Sequence, residues 1–250
     1  MKKFDLLILC AGFGKRMLDL TNNIPKPLLK INGLSIISHV FKKAESAKIG
    51  EVIVATEDQE IIDDVKSNGG NAVLTSKNHK TGTDRIFEAF NILNENNIDF
   101  IMNIQGDEPD IDIDDIKNLD TKMKSGISKI GTLAAKINNE EMYQDENLVK
   151  VKIQDPFEKN PFPCAEYFMR KINNKDNVYH HIGIYSYEVR TLKKFISFSQ
   201  TKNELKHNLE QLRALDNGIN INVMLAKKSP IGIDTQKDYL AIKEIMKYKI

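Results

Sequence analysis

Short, wholly apolar runs alternate with amphipathic stretches through the first half of this chain, and that alternation predicts its fold. Residues 6–9 (LLIL) have no polar face, the pattern of a strand covered on both sides. Residues 35–47 carry Ile36, Ile37, Val40, Phe41 and Ala44 at helical spacing and are followed by the stop signal Gly50. Val52-Ile53-Val54-Ala55 predicts a second strand, and Asp58 is placed to cap a helix that runs to Ser67 and closes at Gly69-Gly70. Ala72-Val73-Leu74 predicts a third strand, and residues 84–94 a third helix for which Thr83 is the candidate N-cap. Strand and helix in strict alternation predict a doubly wound α/β sheet.

In residues 101–109, IMNIQGDEP, a strand runs straight into two carboxylates and a proline. The stretch IDIDDIKNL then predicts a helix, with Asp112, Asp114 and Asp115 opposing its macrodipole. Residues 130–136 and 148–153 predict strands, and VKVKI is the clearest period-two pattern in the chain. A strand around 180–187 follows. Residues 205–217 predict one helix that buries Leu205, Leu209, Leu212 and Leu215 and leaves Glu210 and Arg213 as a solvated surface pair. Residues 221–226 predict the last strand, and GIDT (232–235) leads into a terminal helix. No repeat, low-complexity tract or charge block marks a linker, so residues 1–250 are expected to form one domain with an elaboration at about 130–220.

Composition removes several classes of function. With 36 basic and 35 acidic residues the formal charge is +1, so no global field recruits nucleic acid or an anionic membrane. An anionic ligand must be held by local groups. Cys10 and Cys164 are too few for a secreted disulfide scaffold, and a reducing cytoplasm fits them. Asp5 interrupts the apolar start before it reaches the length of a signal peptide, and no apolar stretch approaches a membrane span.

Candidate chemistry collects at strand ends, where open α/β sheets bind ligands. Asp107 and Glu108 stand at one such end and are equally eligible as metal ligands on spacing alone. After the first strand, the loop CAGFGKRM offers Ala11, Gly12 and Gly14 for close backbone approach, with Lys15 and Arg16 for phosphate oxygens; a plain tight turn fits the glycines as well. Lys26 sits between Pro25 and Pro27, a stiff mount for a point charge, or a solvated loop lysine. Thr81, Thr83 and Arg85 bring hydroxyls and a guanidinium to a helix start, where a nucleotide or a simple cap is served equally. Asp234 is either an N-cap or a second carboxylate for a metal. His39 reads as a core histidine and His79 as a solvated one. His180 and His181, adjacent on a strand, point to opposite faces and do not share an ion readily; one of them is the better candidate for a hydrogen-bonding group in a ligand cleft.

Taken together, ATEDQEI (55–61), the HKTGTDR loop, NIQGDEP, NLVKVKI (147–153), HIGIYSY (181–187), LEQLRALDNG (209–218) and GIDT resemble the 3-deoxy-manno-octulosonate cytidylyltransferases, in the family's order and over most of the chain. The first loop, AGFGKRM with PKPL after it, looks more like that of the hexose-1-phosphate nucleotidyltransferases, and the family's YFSR is YFMR here. The resemblance implies a Rossmann-like GT-A nucleotidyltransferase fold, a mixed, mostly parallel sheet flanked by helices. It implies an enzyme that couples CTP to an eight-carbon acidic sugar with Mg²⁺ and releases pyrophosphate, for lipopolysaccharide biosynthesis. Carried over residue by residue, Asp107 and Asp234 would hold the metal, Lys26 would meet the triphosphate beside Arg16, and Gln105 would face the nucleotide and sugar. Arg170, His181, Tyr185, Glu210 and Gln211 would line the sugar pocket. A cytoplasmic homodimer is implied as well. A transferase for another sugar or sugar phosphate, or a silent nucleotide-binding homologue, is the alternative.

Overall fold

The computed structural model describes residues 4–11, 24–94, 97–172 and 174–247. Two compact units emerge from it: Met1–Ile98 with Met102–Ile113 and Pro230–Ile250, and Asp99–Ile101 with Asp114–Ser229.

In the first unit the opening apolar run becomes β1 (Phe4–Ala11). A 3₁₀ turn, Lys26–Leu28, starts directly after Pro25. A hairpin of β2 (Lys30–Ile31) and β3 (Leu34–Ser35) turns through Asn32 and Gly33, both at positive φ, as a two-residue primed turn requires. Then come α1 (Ile36–Ser46), β4 (Gly50–Thr56), α2 (Gln59–Ser67), β5 (Asn71–Leu74), α3 (Gly82–Leu93) and β6 (Ile98–Gln105). The strand order is β6-β1-β4-β5, with β1–β4 and β4–β5 parallel and the helices packed on them. The predicted stripe of α1 is the buried one: Ile36, Ile37, Val40, Phe41 and Ala44 are all enclosed, and each large aliphatic side chain there contributes about 2 kcal/mol. Ser35 and Asp58 cap α1 and α2 through their side chains. For α3 the cap is Thr81, not Thr83, because Thr81 and Asp84 close a reciprocal capping box that starts the helix two residues earlier.

The second unit runs α4 (Ile113–Lys124), β7 (Ile130–Ala135), α5 (Glu140–Gln144), β8 (Lys150–Ile153), β9 (Ala165–Met169), β10 (Val178–Glu188), α6 (Val189–Ser197), α7 (Lys202–His207), α8 (Leu212–Asp216) and β11 (Asn222–Leu225). β11 is parallel to β7, whereas β7–β10, β10–β8 and β8–β9 are antiparallel. The mixed sheet and flanking helices are those expected of the fold class.

Several sequence expectations fail here for physical reasons. The single helix over 205–217 is two short helices, because Asn208 takes a left-handed conformation at φ 52° and ends the first. Leu205 is therefore 61% exposed while Leu209 and Leu212 are buried. Arg213 is not a solvated partner of Glu210: it is buried and forks onto Glu204 at 2.8 and 2.5 Å. In VKVKI, period two does not sort burial, since Lys150 is fully enclosed and its ammonium donates to the carbonyls of Asp145 and Arg170. Asp115 is also buried, accepting the Lys227 amide at 3.2 Å. The chain returns to the first unit through α9 (Gln236–Lys247), whose Ile242 joins Ile31, Ile36 and Ile233 in one apolar cluster.

Candidate active site

Three charged side chains from distant parts of the chain meet in the first unit. Lys26 is presented by the turn between Pro25 and Pro27, and only 10% of its side chain is exposed. Asp107 follows the end of β6 by way of Gly106, whose amide donates to the Cys10 carbonyl at 3.1 Å. A Cβ on Gly106 would stand 2.7 Å from that same oxygen, so the chain passes over the tip of β1 only because this residue has no side chain. Asp234 is fixed from the other side. Ile233 is fully buried, and its amide donates to the Asp107 carbonyl at 3.1 Å. The cap of α9 is formed by Thr235 and Asp238, which exchange backbone-to-side-chain bonds. Thr235, not Asp234, therefore does the capping, and the Asp234 carboxylate turns to Lys26 instead.

Lys26 Nζ lies 2.5 Å from Asp107 Oδ2 and 3.3 Å from Asp234 Oδ1. Burial works against its charge, yet Asp107 and then Asp234 outweigh burial and hold the ammonium above the usual lysine range. Glu108, eligible on spacing but given no role by the family resemblance, joins the same group. Burial, followed by the charges of Asp107 and Asp234, pushes its carboxyl up to about 8, and its Oε2 has no hydrogen-bond partner among the described residues. The signal for it was present in the sequence as a second acid beside Asp107, but not the burial that distinguishes the two.

The other candidates in this unit have different surroundings. Ala11 ends β1 and is buried. Gly12, Gly14, Lys15 and Arg16 lie outside the described residues. Thr83 is buried within the first turn of α3. The Arg85 guanidinium is engaged internally with the Glu57 carboxylate, the Thr75 hydroxyl at 2.6 Å and the Ser76 carbonyl at 3.3 Å. Gln105, the last residue of β6, is half-buried. His79 is not solvated but paired with Glu88, and His39 bonds the Ile31 carbonyl as a core histidine does.

In the second unit, His181 and Tyr185 lie on β10 with ring centroids 5.4 Å apart, and Phe168 meets His181 edge-on at 5.1 Å. The Thr132 hydroxyl donates its single proton to backbone carbonyls, best to that of Ile184 at 2.7 Å, so the His181 Nε2 at 3.1 Å from its oxygen must carry the hydrogen. Burial first, then His180, lowers the His181 pKa to about 3, and burial lowers that of His180 to about 4. Burial likewise holds the Tyr185 phenol well above its ordinary value, and its hydroxyl is enclosed with no partner at hydrogen-bonding geometry. These are neutral hydrogen-bonding groups. His180 turns to Ser229 at 2.7 Å, so the two histidines have separate partners. Arg170 donates to the carbonyls of Glu146 and Asn147, each at 3.1 Å, and Gln211 is the half-buried residue before α8, next to Glu210. Among the described residues no three His, Cys, Asp or Glu side chains form a ready-made metal cage, and no helix is long and apolar enough to cross a membrane.

A comparison with known proteins gives the same chemistry a family. The cytidylyltransferase family matches residues 24–223. The chain is 41% identical to a 3-deoxy-manno-octulosonate cytidylyltransferase of Thermodesulfovibrio yellowstonii, over 85% of this chain and 88% of that one. It is 38% identical to the protein of that name from Brucella canis, over 85% and 86%. Among solved structures, a CMP:2-keto-3-deoxy-manno-octonic acid synthetase complexed with CTP superimposes with a TM-score of 0.85 at 29% identity, covering 99% of this chain and all of that one. A UDP-glucose pyrophosphorylase with UDP-glucose superimposes at a TM-score of 0.71 and 16% identity over the whole of both chains, a likeness of fold. The chain belongs to the cytidylyltransferase family, as a member of its 3-deoxy-manno-octulosonate cytidylyltransferases.

Proposed function

We propose that this enzyme transfers the cytidylyl group of CTP to 3-deoxy-manno-octulosonate or a close analogue, giving the CMP-sugar and pyrophosphate. The observation that carries the reading is the meeting of Lys26, Asp107 and Asp234 in a chain of this family. The sugar hydroxyl oxygen forms a bond to the α-phosphorus as the bond to the β-phosphate oxygen breaks, and the hydroxyl proton is lost to solvent or a base. Negative charge builds on phosphoryl oxygens, so the protein's task is positioning and positive charge, with no covalent nucleophile.

The donor set fits Mg²⁺. Two aspartate carboxylates suit an ion that prefers oxygen ligands and rarely takes an all-protein cage. The buried, unpartnered Glu108 Oε2 beside them supports a centre able to accept more positive charge than Lys26 supplies. Asp107 and Asp234 would hold the ion, which when bound neutralises phosphoryl charge. Lys26 stands where a cation belongs. On its stiff proline mount its ammonium would be available to triphosphate oxygens once another cation took up the two carboxylates. In the second unit, His181 and Tyr185 offer uncharged hydrogen bonds suited to sugar hydroxyls, leaving the sugar carboxylate to a charged group such as Arg170. A place in lipopolysaccharide biosynthesis, a cytoplasmic location and a homodimer follow from the family resemblance and belong to the same proposal.

The test is pyrophosphate release by purified protein with Mg²⁺ and each of CTP, UTP, dTTP and ATP, against octulosonates, other acidic sugars and hexose 1-phosphates. Turnover with CTP and an octulosonate is the expected result. Turnover of UTP or dTTP with hexose 1-phosphates overturns the assignment.

A further inference from the structure

The second unit holds a cleft that the proposed reaction does not use. Its volume is about 700 Å³, within the range of small-molecule sites. It opens where β7 and β11 begin and β10 ends, a position fixed by the pairings of Asn222 with Gly131 and of Tyr187 with Ile130. His180, by contrast, pairs with Ala135 at the far end of β7. The reacting groups named above are not among the residues that line it.

Its walls have a consistent chemistry. Phe162 and Ile219, both buried, form an apolar floor, while Lys122, Lys129 and Lys194 bring three ammonium groups and no carboxylate lines the cleft. Elsewhere among the described residues Lys124, Lys152, Lys171, Lys175, Lys227 and Lys247 are each paired with an acid. These three form no ion pair among the described residues. Uncompensated like charges around one concavity repel each other, and an anion relieves that repulsion. The wall is also rigid: Asn160 accepts the Phe162 amide at 3.0 Å, and Asn222 donates to the Phe162 carbonyl at 2.8 Å. A ligand would therefore meet a preformed surface.

The geometry points to a second binding site here, for an organic phosphate with a compact apolar body: the phosphate against Lys122, Lys129 and Lys194, the body on Phe162 and Ile219. Phenyl phosphate is the probe, titrated calorimetrically into the full chain, with inorganic phosphate in a parallel arm. Saturable binding of phenyl phosphate is expected below about 1 mM, weakening in high salt as charge-assisted contacts do. The substitutions Lys122→Gln, at a half-buried position, and Lys129→Gln and Lys194→Gln, at exposed ones, made together, should weaken it about tenfold or more while pyrophosphate release in its absence stays within about twofold. Equal binding by the triple variant, or no saturable binding by the unaltered chain, overturns the proposal. Equal affinity for inorganic phosphate overturns the apolar half of it. Displacement of the probe by CTP in the triple variant and the parent alike would place it at the reaction centre instead. A parent dimer that the triple variant splits in sedimentation would make the cleft an interface between copies, and would also overturn the proposal.

Discussion

The charged centre in the first unit and the aromatic cluster in the second are both buried, yet burial has opposite outcomes in them. Around Lys26 the charge survives because two carboxylates lie within 2.5 and 3.3 Å, and they outweigh desolvation. Around His181 no counter-charge among the described residues offsets burial, so desolvation wins and the imidazole is neutral with a pKa near 3. A buried ionisable group keeps its charge only with a partner. Proximity to a partner, rather than residue type, therefore separates a centre suited to phosphate and metal from one suited to hydroxyl groups.

The strongest way to break this contrast is to remove charge from the first centre. Asp107→Asn keeps the side-chain volume but removes one of the two carboxylates around Lys26, which are proposed to hold the ion, and turnover should fall by about 10³-fold or more. Pyrophosphate release measures it, with circular dichroism to verify that the fold is intact. Unchanged activity removes Asp107 from the reaction centre.

Lys26→Met should lower turnover by about 10²-fold, since one preorganised cation is lost. It also carries a sharper outcome. If the ammonium occupies the position of the metal, the neutral variant should bind Mn²⁺ more tightly than the parent when CTP is absent, by calorimetry. Equal or weaker affinity would show that Lys26 and the ion do not compete.

The third prediction turns to the second unit and to pH. His181 has a folded pKa near 3 and an unfolded value of 6.5, so between those values the unfolded chain binds more protons. Stability is then lost as pH falls from about 6.5 toward 3, and above 6.5 His181 adds no slope. His180, at about 4, acts in the same direction over a narrower window. His181→Gln should flatten the decline between pH 6.5 and 4 by about 1 kcal/mol per unit, relative to the parent, in urea unfolding series. An unaltered slope would mean the imidazole is charged in the folded state, and the contrast between the units would collapse.

The sequence was most legible where periodicity and local chemistry agree. α1 appeared from its apolar stripe and α2 with its cap, because Asp58 acts through a backbone amide two residues away. Asp107 was legible as acid at a strand end. What stayed hidden depended on distant neighbours. Asp234 could not be told from a cap until Thr235 and Asp238 were seen capping α9. Glu108 could not be told from Asp107 without knowing which carboxylate faces inward. Lys150 sits at a position that period two would leave polar, and its carbonyl partners come from loops on either side. The break at Asn208 was missed because four leucines at helical spacing outweighed one asparagine whose left-handed backbone gives no apolar signal.

Lys150 also supplies the smallest predicted effect and the finest test of the contrast. It is a buried cation with no carboxylate bonded to it, and burial lowers its pKa, yet two carbonyl oxygens hold the ammonium in place. One belongs to Asp145 and the other to Arg170, whose own guanidinium reaches back to Glu146 and Asn147. The two side chains clasp the same pair of segments. Lys150→Met removes a desolvated charge, which favours folding, and orphans two carbonyls, which opposes it at about 1–3 kcal/mol. With the terms opposed, net stability should change by about 1 kcal/mol, whereas freeing Arg170 should raise the KM for the sugar severalfold and leave kcat alone. A fall in kcat with KM unchanged would mean that Lys150 serves the reacting groups rather than the clasp. A loss of several kcal/mol would mean that carbonyls alone can sustain a buried ammonium, and that a carboxylate partner is not what the first centre needs to keep its charge.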